Sequence, residues 1–204
     1  LHLCSHNLEN ISDYDSNAKH KLLLEVCMAA KEEGESLRGQ HGKHQRTNPG
    51  TASQLCTVLA RSFADIGDIV RGRDLYGGNK KKDKLEDNLR KIFGKIHKDV
   101  TKTSDKNGKT NVAEELKTRY GSDKNNNYYQ LREDWWTANR ATVWKAITCD
   151  EDKKLKDASY FRGTCSDEQG GAQANNKCRC QKKDGTHDTD QVPTYFDYVP
   201  QYLR

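Results

Sequence analysis

Residues 131–149 read LREDWWTANRATVWKAITC. At about 100° per residue, Leu131, Trp135, Ala138 and Thr142 share one side of a helix, and Trp136, Val143 and Ile147 share another. A helix apolar on two sides needs neighbours on two sides, which places this segment in the middle of a helical bundle. The flanking stretches carry the same helical period. In AKHKLLLEVCMAAKEEGESL (18–37) the apolar face is Leu22, Leu23, Val26, Cys27 and Ala30. In TASQLCTVLARSFADIGDIV (51–70) it is Leu55, Leu59, Phe63, Ile66 and Val70, with Thr51 or Ser53 placed to cap the N-terminus. KLEDNLRKIFGKIHKDV (84–100) repeats it at Leu85, Leu89, Ile92, Ile96 and Val100. Asn111 followed by Glu114 reads as a capping box opening VAEELKTRY (112–120). The intervening stretches, GQHGKHQRTNPG (39–50), GRDLYGGNKKK (72–82), TSDKNGKT (103–110) and GSDKNNN (121–127), read as polar loops. No period-2 strand pattern of any length occurs, and there is no internal repeat. The fold class expected is mainly α: a helical bundle with long polar loops.

The 204 residues are 33% hydrophobic and 32% charged, which implies a thin core. Seven cysteines stand at 4, 27, 56, 149, 165, 178 and 180, none in C-x2-C spacing. Cys178 and Cys180 are too close to bridge each other comfortably, so each needs another partner. Cys149 and Cys165 are nearest, which leaves 149–178 with 165–180, or 149–180 with 165–178. The stretch around them is nearly devoid of apolar residues, and cross-links would supply what the core lacks. That usage points to an oxidising, extracellular setting. The competing reading is a zinc site of Cys165, Cys178, Cys180 and His187, against which the spacing speaks. No run approaches the roughly 20 apolar residues of a membrane helix, so no direct membrane insertion is expected from this sequence. The start at Leu1 and the odd cysteine count are expected of a piece of a longer polypeptide.

Enzyme chemistry finds no support. Gly72 and Gly77 have the spacing of a phosphate-binding loop, but Gly78 and Asn79 stand where its lysine and hydroxyl belong, and a helix rather than a strand leads in. Asp105, Asn107, Gly108 and Glu114 approach a calcium loop, yet Thr103 replaces its first carboxylate and Thr110 its packing residue. Glu133 and Asp134 are adjacent and diverge on a helix, unlike an acid/base pair. The histidines are scattered. No catalytic residue, metal or cofactor is expected.

The net charge of +5 is concentrated: residues 71–110 hold 13 Lys/Arg against 6 Asp/Glu, a net of +7. Lys84, Lys91, Lys95, Lys98 and Lys102 form a stripe beside the apolar face of their helix, and Lys80, Lys81 and Lys82 extend it into the preceding loop. Asp87 is the acid expected close to it. Lys177, Arg179, Lys182 and Lys183 form a second cluster. Both suit a polyanion such as a sulfated polysaccharide, and a solvated lysine face is the plain alternative. Nucleic acid is not expected, since no binding motif for it occurs.

NLENI (7–11), CTVLARSFADIGDIVRGRDLY (56–76), LREDWWTANRATVWKAITC (131–149), YFRGTC (160–165) and VPTYFDYVPQYLR (192–204) occur in that order along the whole chain. Together they resemble the Duffy-binding-like alpha domains of Plasmodium falciparum erythrocyte membrane protein 1. The resemblance implies the disulfide-linked, helical Duffy-binding-like fold. Residues 1–50 would be the end of its loop-rich first subdomain with the first helix. Residues 51–204 would be the helical second subdomain, carrying a cysteine-bearing insertion at 149–191. The family's extreme N-terminal segment and third subdomain would lie outside this sequence, and Cys27 would pair with Cys56 or Cys4. It also implies a non-enzymatic adhesion domain on the extracellular face of the infected erythrocyte membrane, within a larger anchored protein. Its partners would be erythrocyte or endothelial surface receptors and glycans (heparan-sulfate-like chains, blood-group sugars), with rosetting in some members, and antibodies. The alternative within the family is an antigenically variable module with no receptor of its own, supporting neighbouring binding domains.

Overall fold

The computed structural model describes residues 18–47, 55–73, 80–102, 110–121, 127–149, 153–165, 171–188 and 190–204. Among them are helices α1 Ala18–Thr47, α2 Leu55–Arg71, α3 Lys80–Val100, α4 Thr110–Tyr120 and α5 Tyr129–Ile147. Strands β1 Gly163–Cys165 and β2 Ala172–Gln173 form one short antiparallel sheet with an irregular register. The helical expectation holds, with local corrections. α1 runs through residues 39–47, read above as loop, despite Gly39 and Gly42. Near that end, the buried Arg38 donates from Nη1 to the Ile147 carbonyl at 3.4 Å, an anchorage that local propensity does not register. Lys80, Lys81 and Lys82 form the first turn of α3 instead of a loop. α4 starts at Thr110, so Asn111 lies inside the helix and does not cap it. The remaining loop readings at 74–79 and 103–109, the calcium-like stretch included, and the caps at Thr51 and Ser53 lie outside the described residues.

The chain divides into two compact units, and α1, α2 and α5 supply residues to both. The second unit comprises Ser5–Glu25 and Asp68–Ala138. Its core is Leu22, Val70, Leu85, Leu89, Ile92, Phe93, Ile96, Leu131, Trp135 and Trp136. Burying one large apolar side chain contributes about 1.5–3 kcal/mol, so these positions set the unit's cohesion. Phe93 and Trp135 meet edge to face with centroids 6.1 Å apart. A fully buried arginine ties the C-terminus of α2 down. Arg132 donates to the carbonyls of Val70 (2.6 Å) and Ile69 (3.1 Å) and to both carboxylate oxygens of Glu86 (2.7 and 2.9 Å). It thereby caps the last turn of α2, where the Ile69 carbonyl also accepts from Gly72 N at 3.1 Å. Gly72, at φ +71°, makes room: a Cβ there would lie 2.8 Å from Arg132 Nη1.

The first unit comprises Leu1–Cys4, Val26–Gly67 and Asn139–Arg204. Val26, Leu59, Phe63, Ile66, Val143, Trp144 and Ile147 are its buried helical residues. Gly34 of α1 sits so near α5 that a Cβ would overlap the Ile147 carbonyl oxygen. Phe63 meets Trp144 edge to face at 5.2 Å, and the Trp144 indole donates to the Cys178 carbonyl at 3.1 Å.

On α5 the expected two faces are one broad stripe. Leu131, Arg132, Trp135 and Trp136 are buried in its first half, and Val143, Trp144 and Ile147 in its second, while Ala138 and Thr142 are exposed. At 100° per residue the buried positions drift round the helix as it ascends, and buried arginine carries the stripe where apolar residues lapse. Leu23 and Cys27 of α1 and Val100 of α3 are likewise half-exposed, not core.

The cysteine pairing differs from expectation. Cys165 bonds Cys180, but Cys178 bonds Cys56 of α2 across 122 residues. Cys149 therefore pairs with neither Cys178 nor Cys180, and Cys27 cannot pair with Cys56. Cys27 carries a free thiol whose pKa burial pushes up to about 11; Cys4 lies outside the described residues. The reason is tertiary. The Trp144 indole and a bond from Cys178 N to the Ala158 carbonyl (3.0 Å) draw Cys178 into the core beside α2. With Cys165, Cys178 and Cys180 oxidised, the zinc reading that also used His187 has lost its thiolates.

Candidate binding surfaces

α3 presents its apolar face to the core and turns basic residues outward, as the spacing predicts. Lys84, Lys91 and Lys98 are exposed, recur every seven residues, about 10.5 Å along the axis, and have no ionic partner among the described residues. The other expected members divide. Lys95 is half-buried and engaged. Lys102 lies just past the helix and pairs with Asp99 at 2.8 Å. Asp87 is exposed between Lys84 and Lys91, so Asp99 makes a second acid beside the stripe, which is more interleaved than the sequence suggested. The side chains of Lys80, Lys81 and Lys82 lie outside the described residues.

In the second cluster Arg179 serves as a helix clamp. Its guanidinium donates to the carbonyls of Thr148 (2.9 Å) and Lys145 (3.1 Å) and to Thr148 Oγ1 (3.0 Å), capping the end of α5. Lys182 and Lys183 are exposed, and Lys177 is half-buried. The histidine beside them, His187, has its pKa lowered by desolvation and then by Arg179 and Lys177. Sequence reasoning missed two features. Lys153, Lys154 and Lys156 join this neighbourhood, signalled only by a short basic run. Phe161, Tyr195, Tyr198, Tyr202 and Leu203 are exposed, and the Arg140 guanidinium stacks near Tyr198 (5.2 Å) while pairing with the buried Asp197 at 2.8 Å. No cluster of metal-ligating residues occurs among the described residues.

The Duffy binding domain model matches residues 1–204. The chain belongs to this family. Among solved structures, this Duffy binding domain is similar to the NTS-DBL1(alpha-1) domain of PfEMP1 from the varO strain of Plasmodium falciparum. They share 36% identity over 99% of this chain and 40% of that one, with a TM-score of 0.66. It is similar also to the PfEMP1 IT4var13 DBLbeta domain, solved bound to ICAM-1, at 32% identity over 99% of this chain and 40% of that one, TM-score 0.67. A further PfEMP1 DBLb domain, bound to human ICAM-1, matches at 25% identity over 99% of this chain and 36% of that one, TM-score 0.59. The chain thus spans at most two fifths of the length of these relatives. A search of curated proteins finds no match. The disulfide-linked helical architecture is the Duffy-binding-like fold of the PfEMP1 structures. No helix among the described residues is long and apolar enough to cross a membrane.

Proposed function

We propose that this Duffy binding domain is an adhesion module of the alpha class of PfEMP1, displayed on the infected erythrocyte and attaching it to host cell-surface receptors or glycans. One observation carries the reading: related domains that match 99% of this chain hold a host receptor, ICAM-1, in their solved structures. The alpha class is supported by the NTS-DBL1(alpha-1) likeness together with the quoted sequence motifs. Within the fold, the free lysines of α3 are the residues we assign to an anionic glycan. Lys84, Lys91 and Lys98 present three point charges on a rigid helix, a spacing that an extended polyanion can follow.

The test is a binding screen of the purified protein against erythrocytes, ICAM-1, and sulfated and neutral glycans. Saturable binding that weakens with salt, and is lost in Lys84→Glu/Lys91→Glu/Lys98→Glu with the fold intact, is the expected result. Absence of binding to every surface would favour a variable module that supports neighbouring domains. Equal salt elution of wild type and triple variant from heparin would remove the α3 site alone.

A further inference from the structure

Residues 193–204 read PTYFDYVPQYLR. Two 3-10 turns, Phe196–Tyr198 and Gln201–Leu203, are joined by Val199 and Pro200 in extended conformation (φ −92°, ψ 133° and φ −53°, ψ 141°). Tyr195, Tyr198, Tyr202 and Leu203 along this segment are 46–75% exposed, too open to serve the core. The exposed Phe161 joins them through Phe196, whose ring centre lies 6.4 Å away. Buried polar contacts fix the array. Asp197 accepts from Arg140 Nε at 2.8 Å and Nη2 at 2.9 Å, and the same Nη2 donates to the Thr194 carbonyl at 2.8 Å. Arg204 donates from Nε to the Val199 carbonyl at 3.0 Å and pairs with Asp65 of α2 at 3.1 Å. The Arg140 guanidinium carbon lies 6.0 Å from the Tyr195 ring centre and 5.2 Å from that of Tyr198, so one cation braces both rings. A ligand meets rings already in place, and ordering them costs little.

Size, shape and charge select the occupant. A stable interface between folded proteins engages about 20–30 residues a side, far more than this array offers, so a short extended segment fits it better. A polyproline II chain repeats every three residues, about 9.3 Å, and leaves its carbonyls without internal donors. Two rings braced on one guanidinium, with a third on the next turn, suit that step, and exposed tyrosine hydroxyls can donate to those carbonyls. Arg162 stacks on Phe161 at 5.1 Å, is exposed, and has no ionic partner among the described residues. Arg140 and Arg204 are neutralised by Asp197 and Asp65, and Asp197, the acid within 158–165 and 192–204, is buried. One unanswered cation at the rim favours a carboxylate on the ligand and is too little charge to hold a polyanion. A second copy would bring another Arg162 and no exposed carboxylate of this patch to meet it. A bilayer surface calls for an amphipathic helix, which two three-residue turns do not make. We propose that the tyrosine array of 195–203, with Phe161 and Arg162 at its rim, is a docking surface for a proline-rich polyproline II segment with acidic flanks on a partner protein. It shares no residue with the α3 stripe and stands independently of the adhesion reading.

The probe is a fluorescein-labelled peptide, EEPPLPPLPPEE, titrated with the purified protein and read by fluorescence anisotropy. Two companions separate the causes: EEGGLGGLGGEE keeps the charge without the polyproline II bias, and KKPPLPPLPPKK reverses the flanks. Wild type should bind the first peptide saturably, the glycine peptide at least about tenfold more weakly, and the lysine-flanked one about threefold more weakly. Tyr195→Ala/Tyr202→Ala removes two exposed rings and should weaken the first peptide about tenfold or more, with an unchanged thermal midpoint confirming the fold. Arg162→Glu leaves every ring in place and should reverse the preference between acidic and basic flanks. No saturable binding by wild type, or full affinity in the tyrosine variant, overturns the docking surface. Equal affinity for the glycine peptide overturns the polyproline II conformation of the ligand, and indifference to the flanks in both wild type and Arg162→Glu overturns the acidic partner. Dimerisation of wild type in sedimentation velocity that the tyrosine variant abolishes would give the surface to a second copy and overturn the peptide reading.

Discussion

Arg132→Met removes the fully buried guanidinium that closes the end of α2 while keeping most of the side-chain volume. The Val70 carbonyl loses a donor at 2.6 Å; the Ile69 carbonyl loses one at 3.1 Å but keeps the Gly72 N–H at 3.1 Å, and Glu86 loses its contacts at 2.7 and 2.9 Å but keeps Arg90 Nε at 3.2 Å. An orphaned buried carbonyl costs about 1–3 kcal/mol. The Glu86 side chain is 29% exposed and can turn towards water, so its share is discounted. Together these give about 2–4 kcal/mol, the lower part of the range for breaking a buried charged cluster from one side. At this chain length each kcal/mol moves the thermal midpoint by about 2–4 °C, so a drop of about 10 °C is expected. Arg132→Lys keeps the charge but not the fork and should lose about 2 kcal/mol. Gly72→Ala should cost about 1–2 kcal/mol from its φ of +71°, and less in the Met background, where the guanidinium it would crowd is gone. Urea unfolding followed by far-UV circular dichroism and tryptophan fluorescence measures all three. A loss below about 1 kcal/mol for Arg132→Met would refute the capping role, as would wild-type stability in the Lys variant.

Cys56→Ser should destabilise more than Cys165→Ser. The first bond closes 122 residues and the second 15, worth about 5 and 3 kcal/mol on chain-entropy grounds; equal midpoints in denaturant would contradict the pairing. Gly34→Ala should cost at least about 2 kcal/mol, because the group it meets is the Ile147 backbone and cannot swing aside, and a thermal midpoint within a degree or two of wild type would show that the helices part easily. Asp134 is hydrogen-bonded by Arg119, Tyr120 and Gln130, and chiefly the Arg119 bond holds its pKa below the ordinary value of 3.8. A depressed folded pKa means its stabilisation is present above the unfolded value and lost as pH falls through the folded one. Asp134→Asn should therefore lower stability at neutral pH and narrow the gap to wild type below pH 3.8, which acid titration of the unfolding free energy would reveal; a gap independent of pH would contradict it.

The helices were legible because their signal is local. Leu55, Leu59, Phe63, Ile66 and Val70 recur at the helical period, and one apolar face has one way to turn. The stripe of Lys84, Lys91 and Lys98 follows from the same geometry, since residues opposite a buried face are exposed. The family, too, was legible, because its motifs are contiguous. The bond partner of Cys178 was not: nearness in sequence favoured Cys149, whereas packing under Trp144 delivered it to Cys56. Nor were the roles of Arg132 and Arg179, two surface-type residues that became helix caps because distant carbonyls lacked donors. Periodicity along the chain determined which faces are buried. Only the folded chain, by satisfying buried backbone groups and closing long loops, decided which remote residues meet.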